Sequence, residues 1–180
     1  MVNILLQAAY VMVPAYFANM APVLTKRILS SLAKPIDGGM MLGGRPLFGR
    51  NKTWRGFLMA VVFSVIITFL QSVFSSNVLF ADLGLVPYAT VWLPLGILMG
   101  VGAIGGDLVE SFIKRRLGKE PGKRFLPWDQ IDFVLGALIL SSLIVDYSMV
   151  IILTIIGVSF FGHIIVKRMG YWLKVHDEKW

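Results

Sequence analysis

Long uncharged apolar runs constrain the fold of this chain more than any other feature. Four of them, each about 20 residues or longer, cover residues 4–24, 57–81, 83–106 and 147–166. A helix of that length, at about 1.5 Å per residue, crosses a hydrocarbon core of about 30 Å. The composition agrees, since 57% of the 180 residues are hydrophobic and only 15% are charged. The sequence therefore predicts an all-α integral membrane protein.

A fifth apolar run, 133–145, forms only about 20 Å of helix. It reaches across the membrane if its helix begins near Asp129, which puts Asp132 below the membrane surface. A surface helix is the alternative, but the run has no polar stripe at helical spacing. We therefore expect five transmembrane helices in a single membrane domain, 1–180. Their predicted bounds are about 4–24, 57–80, 86–113, 129–146 and 148–167.

The basic residues predict the orientation. All 17 Lys and Arg residues fall in three segments, 25–56, 114–130 and the tail after residue 166. Lys and Arg concentrate in cytoplasmic loops, and five crossings bring all three segments to one side. The prediction is a multi-pass protein of the cell membrane with its N-terminus outside, its C-terminus cytoplasmic, and cytoplasmic loops at 25–56 and 114–128. The net charge of +7 suits anionic headgroups or a polyphosphate, although topology alone explains part of it; no nucleic-acid partner is expected.

The first of these loops is longer than a connector needs to be. Its core, residues 35–56, reads PIDGGMMLGGRPLFGRNKTWRG. Glycines let backbone N–H groups approach phosphates, and the interleaved Arg and Lys supply positive charge. A P-loop is excluded, because Arg50 and Asn51 stand where Lys and Ser or Thr are required. Composition alone leaves open a phosphate-binding loop or a flexible loop facing headgroups.

Asp107 is an acidic residue at an unusual depth. It precedes the basic cluster that begins at Lys114 by about 10 Å of helix. Acids inside the membrane cost at least about 2.5 to 3.5 kcal/mol at mid-depth and usually mark a pathway or a site. Glu110 and Ser111 share its helix face, and the glycines at 105–106 permit close packing or close approach of a ligand.

Asp129 and Asp132 have the i, i+3 spacing that directs two side chains to one side of a helix. An N-terminal cap after Pro127 is the alternative for Asp129. Three acids beneath a cationic rim repel each other unless a cation joins them, and Mg²⁺ takes oxygen ligands from carboxylates and phosphates. The absence of Cys excludes thiolate ligands. We therefore expect Asp107, Asp129 and Asp132 to bind metal, and the metal to bind phosphate.

Six short motifs make the chain resemble the CTP-dependent lipid cytidylyltransferases, and among them the archaeal CDP-archaeol synthases. In order they are NMAPV at 19–23, PIDGG at 35–39, RPLFG at 45–49, KTWRG at 52–56, GDLVESFIKRR at 106–116 and PWDQIDF at 127–133. The bacterial CDP-diacylglycerol synthases look alike at SFIKR, 111–115, and at the spacing of Asp129 and Asp132. This chain lacks their His-Gly-Gly before the first Asp of that pair and has Gln130 where Arg is usual, which favours the archaeal branch.

The resemblance implies a reaction between CTP and 2,3-bis-O-geranylgeranylglyceryl phosphate that gives a CDP-activated ether lipid and pyrophosphate. It implies Mg²⁺ as the cofactor at the three aspartates. On this basis the catalytic residues are expected to be Asp107, Asp129, Asp132 and Lys114. The residues expected to contact CTP or its phosphates are Arg45, Lys52, Thr53, Arg55, Ser111 and Arg115, with Asn19 a further candidate for substrate contact.

Other functions remain open from the sequence. The protein could be a CDP-diacylglycerol synthase that acts on phosphatidic acid. It could also be a non-catalytic, cation-coupled lipid transporter with Asp107 and Asp132 along a cation path, although the outer halves of the helices are apolar. The motif of the CDP-alcohol phosphotransferases is absent from the sequence. The expected partners are CTP, the lipid phosphate and the bilayer, and small-residue helix faces allow a homodimer.

Overall fold

The computed structural model describes residues 4–120 and 125–172, without the side chains of 79 and 166–172. Helices dominate this part of the chain. They are α1 Ile4–Leu24, α2 Trp54–Phe74, α3 Val78–Ala81, α4 Tyr88–Arg116, α5 Asp132–Ser141 and α6 Met149–Trp172. The two short strands are β1 Met41–Leu42 and β2 Arg45–Pro46.

The all-α membrane architecture is confirmed, since the described chain is mainly helical and several of its helices suit a membrane, whereas the five crossings and their orientation stay predictions. By length and composition, α1, α2 and α4 can each cross a bilayer, whereas α5 is a shorter apolar helix. The helix expected over 129–146 is shorter than predicted. Residues Trp128–Gln130 form a separate 3-10 helix, and α5 begins only at Asp132. The run expected as one helix over 57–80 is likewise divided between α2 and α3.

Glycines bring α4 and α5 into backbone contact. A Cβ added at Gly106 would collide with the carbonyl oxygen of Asp132, and one added at Gly136 would collide with that of Gly102. Small residues allow such close approach between membrane helices. The crossing therefore places Asp132, the first residue of α5, against the turn of α4 that precedes Asp107.

Further glycines on α4 receive α2 in the same way. A Cβ at Gly100 would lie 2.7 Å from Cα of Val61, and one at Gly96 would lie 2.7 Å from Cα of Val65. Helix α1 packs against α2, α4, α5 and α6. Helix α4 thus lies between α2 and α5, and its end at Lys114 to Arg116 marks the basic end of the bundle.

Residues 25–53, here called the basic loop, have a defined structure. The loop closes at its root, where the N–H of Ile36 donates to the carbonyl of Lys52 and the N–H of Trp54 donates to that of Lys34. Strands β1 and β2 pair through a two-residue turn at 43–44, whose positive φ angles suit glycine. These contacts hold the basic loop in one conformation over the end of the bundle.

Candidate active site

A polar cavity of about 360 Å³ lies at the basic end, between α1, α4, α5, α6 and the basic loop. Its volume falls within the range of about 300–1,000 Å³ that is usual for small-molecule sites. Eight of the sequence-predicted site residues line it: Asn19, Lys52, Asp107, Ser111, Lys114, Arg115, Asp129 and Asp132. Asn51, Glu110 and His163 add polar groups to the wall. The fold thus gathers most of the predicted residues around one space.

Three carboxylates in this cavity could hold a metal ion. Asp107, Glu110 and Asp132 each offer an oxygen, and these oxygens lie within 4.8 Å of one another. Octahedral Mg²⁺ has ligands at about 2.0–2.1 Å, which puts opposed oxygens about 4.2 Å apart. The spacing of the three acids is therefore compatible with a single ion once the side chains adjust.

The environment of Glu110 also fits a cation. Its Oε1 is buried and lies 2.9 Å from Nζ of Lys114. Within the described residues that oxygen accepts no hydrogen bond of suitable geometry. This oxygen is ion-paired with Lys114, but a carboxylate has about four lone-pair positions, so Glu110 keeps acceptor capacity for a metal ion.

Asp129 has different partners. Its Oδ1 accepts a hydrogen bond from Nζ of Lys114 at 2.7 Å, and its Oδ2 accepts one from the backbone N–H of Phe125 at 2.7 Å. It lies in the 3-10 helix before α5, so it does not share a regular helix face with Asp132. Its assignment as a metal ligand stays a prediction, while Glu110 joins the other two aspartates in the carboxylate cluster.

Two lysines balance part of the acidic charge. Nζ of Lys52 lies 2.6 Å from both carboxylate oxygens of Asp107. Lys114 bridges Glu110 and Asp129. With Arg115, the cavity wall holds three basic side chains beside four carboxyl groups, and a further cation there would relieve the repulsion among the acids.

Comparison with known proteins identifies the family. The sequence profile of the CarS-like CDP-archaeol synthase family matches residues 1–180. The chain belongs to this family. The CDP-archaeol synthase of Halobacterium salinarum is 34% identical over 186 residues, which cover 100% of this chain and 99% of the relative. That of Methanosphaerula palustris is 36% identical over 182 residues, with coverage of 94% and 100%. That of Saccharolobus islandicus is 34% identical over 178 residues, with coverage of 98% and 96%.

A solved structure is also similar to this CarS-like chain. It is described as "Structural insight into an intramembrane enzyme for archaeal membrane lipids biosynthesis". The TM-score is 0.72 and the identity 29%, over 88% of this chain and 91% of that one. The predicted family is confirmed, and with it an enzyme, a CTP-dependent cytidylyltransferase of archaeal phospholipid biosynthesis. A non-catalytic transporter is thereby disfavoured.

Three of the residues predicted to contact CTP lie outside the wall of the polar cavity. Arg45 donates to the carbonyl of Arg116 at 2.7 Å and to that of Arg115 at 3.3 Å. Arg55 donates to the carbonyls of Lys26 and Ile28, which belong to the basic loop. In this structure both arginines hold the basic loop against the helices through hydrogen bonds to backbone carbonyls. Their contact with CTP stays a prediction.

The third of these residues, Thr53, caps α2. Its Oγ1 accepts a hydrogen bond from the N–H of Gly56 at 3.2 Å, which satisfies one of the first amides of the helix. Thr53 therefore fixes the start of α2 close to Lys52.

Ser111 and Arg115 line the polar cavity, and both are buried. Arg115 donates a hydrogen bond to the carbonyl of Glu120 at 3.0 Å.

Asp37 is a buried residue of the basic loop that the sequence reasoning did not single out. Its Oδ1 accepts a hydrogen bond from the N–H of Gly39 at 3.0 Å, and its Oδ2 accepts from those of Phe48 and Gly49 at 3.0 and 3.1 Å. Burial raises the pKa of Asp37, but these bonds outweigh it and hold the pKa below its ordinary value. Phe48 and Gly49 line the polar cavity, so Asp37 shapes one wall. Its place in the PIDGG motif, directly before two glycines, is the signal that could have identified it.

Proposed function

We propose that the protein transfers CMP from CTP to 2,3-bis-O-geranylgeranylglyceryl phosphate, giving CDP-archaeol and pyrophosphate. The observation that carries this proposal is the polar cavity, where carboxylates suited to a metal ion lie beside Lys and Arg side chains suited to phosphates. The relatives named CDP-archaeol synthase support this choice of product. The substrates are then CTP and an isoprenoid ether-lipid phosphate.

In this proposal the active site faces the cytoplasm. Five crossings of the cell membrane bring the basic loop, the 114–128 loop and the C-terminus to the cytoplasmic side and leave the N-terminus outside. Helix α5 is about 15 Å long, so it crosses together with the segments on either side of it. The polar cavity then opens where cytosolic CTP and the headgroup of a membrane lipid can meet.

The nucleophile is an oxygen of the lipid phosphate. This oxygen is ionised near neutral pH, so no strong general base is required. It forms a bond to the α-phosphorus of CTP, while the bond from that phosphorus to the β-phosphate oxygen breaks and pyrophosphate leaves with the electron pair. Catalysis consists of in-line alignment and stabilisation of charge.

The carboxylate cluster would hold the metal ion that such a reaction uses. Asp107, Glu110 and Asp132 would bind Mg²⁺. Asp129 lies beside them and forms a salt bridge with Lys114. Bound Mg²⁺ supplies Lewis-acid polarisation of phosphate oxygens. The protein's contribution is to hold these oxygens in a partly buried space at the membrane border.

The basic side chains of the cavity bind the phosphates. Lys52 extends its ammonium group to Asp107, so a phosphate next to the carboxylate cluster meets a positive charge already in place. Lys114 and Arg115 stabilise the charge that develops on the departing pyrophosphate. The backbone N–H groups of Phe48 and Gly49 already donate hydrogen bonds to Asp37. The phosphate contacts are therefore assigned to the basic side chains of the cavity and not to these N–H groups.

The test is a transfer assay with purified protein in detergent, Mg²⁺ and labelled CTP. The lipid acceptor is either the geranylgeranyl ether phosphate or a diacyl phosphate. We expect label to enter the ether lipid preferentially. Preferential labelling of the diacyl lipid would keep the chemistry and overturn the archaeal substrate, and no transfer to either lipid by folded protein would refute the proposed function.

A further inference from the structure

A reciprocal pair of arginines joins the β-hairpin of the basic loop to the end of α4. Arg45, on β2, donates to the carbonyl of Arg116 at 2.7 Å and to that of Arg115 at 3.3 Å. Arg116 donates in return to the carbonyl of Leu42 at 2.5 Å and to that of Pro46 at 2.7 Å. Each guanidinium group of this arginine pair, Arg45 and Arg116, therefore binds backbone carbonyls of the opposite element.

The surroundings of the arginine pair suit this geometry. The guanidinium carbon of Arg116 lies 5.2 Å from the ring centroid of Phe112, one turn earlier on α4. A Cβ added at Gly118 would lie 3.1 Å from the terminal guanidinium nitrogens of Arg45, so glycine leaves room for that side chain. The last carbonyls of a helix have no partner within the helix, and a positive charge beside them suits the helix dipole. The pair thus caps α4 and holds the hairpin with one set of contacts.

The two elements that the arginine pair joins each form part of the wall of the polar cavity. The basic loop contributes Phe48, Gly49 and Lys52, and the end of α4 contributes Lys114 and Arg115. The spacing between the basic side chains of these two walls therefore depends on how the loop is held on the helix.

We propose that Arg45 and Arg116 are positioning residues that hold the basic loop on α4 in the arrangement that binds CTP. Neither side chain is among the described residues that line the polar cavity, so each acts through the wall residues near it. The inference rests on the proposed function only in placing CTP in this cavity. Without the pair, the loop separates from α4 in a larger fraction of the molecules. The apparent Kd for CTP rises as the binding-competent fraction falls.

A direct contact with CTP is the alternative for Arg45, because a guanidinium group also suits phosphates. Substitution by Lys separates the two roles, since Lys keeps the positive charge but lacks the planar fork that reaches two carbonyls. Salt separates them as well. In the described part of the chain neither arginine forms a salt bridge, and the loss of bonds to neutral carbonyls should depend little on ionic strength. The loss of an attraction to CTP shrinks as salt screens it.

The test measures binding of labelled CTP and steady-state kinetics in Arg116→Lys, Arg45→Lys and the double variant. For Arg116→Lys we expect the Kd and KM for CTP to rise about tenfold, as for the loss of one hydrogen bond to a charged group. The kcat at saturating CTP should stay within about twofold of the wild type, because bound CTP restores the closed arrangement. Arg45 is more exposed than Arg116, so Arg45→Lys should show a smaller rise. The effect of the double variant should be smaller than the product of the two single effects, because the arginines share one set of contacts.

Two further measurements accompany the kinetics. Arg27→Lys is the matched control and should keep the wild-type Kd, because Arg27 is an exposed arginine of the same loop. Hydrogen exchange followed by mass spectrometry reports on the amide of Leu47, which donates to the carbonyl of Met40 across the hairpin. In Arg116→Lys this amide should exchange faster than in the wild type, and saturating CTP should restore the wild-type rate.

Several results would overturn the inference. An unchanged Kd for CTP in Arg116→Lys would do so, and so would a lower kcat at wild-type affinity, which indicates a loss of folded enzyme. An effect confined to Arg45→Lys that disappears at high salt would assign Arg45 to the phosphates of CTP. If Arg45→Lys does not fold, Arg116→Lys decides alone, and failure of both to fold would make the pair purely structural.

The same measurements separate this inference from the proposed function. Wild-type protein that binds CTP but transfers no CMP would refute the proposed reaction, and the Kd values of the variants would still decide whether the arginine pair positions the loop. Folded wild-type protein that does not bind CTP would refute both.

Discussion

Replacement of Asp37 by Asn tests whether the basic loop is held in shape by one carboxylate. The side chain accepts three backbone hydrogen bonds and is 3% exposed. In Asp37→Asn, one oxygen becomes an NH₂ group, which faces N–H donors whichever way the amide turns. The remaining bonds also lose their charge. Hydrogen bonds to charged groups contribute about 1.5–3 kcal/mol each, so we expect a loss of about 3 kcal/mol in the stability of the loop.

This loss of loop stability sets an upper limit on how much CTP binding can weaken. About 3 kcal/mol corresponds to roughly a hundredfold in an equilibrium constant, which is the upper bound if CTP binds only the native loop. We therefore expect the Kd for CTP to rise by up to about a hundredfold. Because the pKa of Asp37 is lowered, its stabilisation is fully present above the ordinary value of about 3.9 and is lost as the pH falls through the lower folded value. An assay near neutral pH thus reports the full effect.

Two measurements check the role of Asp37. Binding of labelled CTP to protein in detergent gives the Kd, and hydrogen exchange followed by mass spectrometry reports on the amides of Phe48 and Gly49. Faster exchange at these amides together with weaker CTP binding is the expected result. Asp82→Asn is the control, because Asp82 is an exposed acid at the opposite end of the bundle. Unchanged exchange would refute the role of Asp37 in holding the basic loop. Faster exchange with unchanged CTP affinity would refute a role of Asp37 in the site.

Further substitutions test the charged groups of the polar cavity. Asp107→Asn and Asp132→Asn should each abolish turnover while the protein stays folded in membranes, and full activity of either variant would remove that residue from the site. Glu110→Gln should raise the Mg²⁺ concentration for half-maximal activity by at least about tenfold and more than Asp129→Asn does, whereas the reverse order would favour Asp129 as the ligand. Lys52→Ala should weaken CTP binding relative to the Asp82 control, and an unchanged Kd would exclude its phosphate contact.

The membrane fold could be predicted because long apolar runs have few other solutions. Residues 4–24 were predicted as a helix, and α1 has those bounds. The prediction was less accurate at the ends of elements, where side chains and not hydropathy set the limits. Helix α2 begins at Trp54 and not at the predicted residue 57, because Thr53 caps it. The hydroxyl of Thr53 accepts a hydrogen bond from the backbone N–H of Gly56.

The arginines show what residue type cannot reveal. Arg45 and Arg55 belong to the Gly-rich basic segment 35–56, where composition favours contact with phosphates. In the fold both donate to backbone carbonyls instead, and Arg116 does the same to the carbonyl of Pro46 from the end of α4. Phosphates and backbone carbonyls are both good acceptors for a guanidinium group. Only the tertiary structure places a carbonyl within reach, so the sequence could identify a basic site but not divide its arginines between substrate and scaffold.

The presence of Glu110 in the carboxylate cluster shows how an assumption about helix bounds affects the prediction of a site. An i, i+3 pair points to one side only if both residues lie on the same regular helix. Asp107 and Glu110 satisfy this condition within α4, whereas Asp129 and Asp132 do not, because Asp129 accepts the N–H of Phe125 before α5 begins. The same spacing therefore has different consequences in two segments, and the length of the surrounding helix decides between them. A pair well inside a long apolar helix is the safer basis for predicting a metal site than a pair next to a proline.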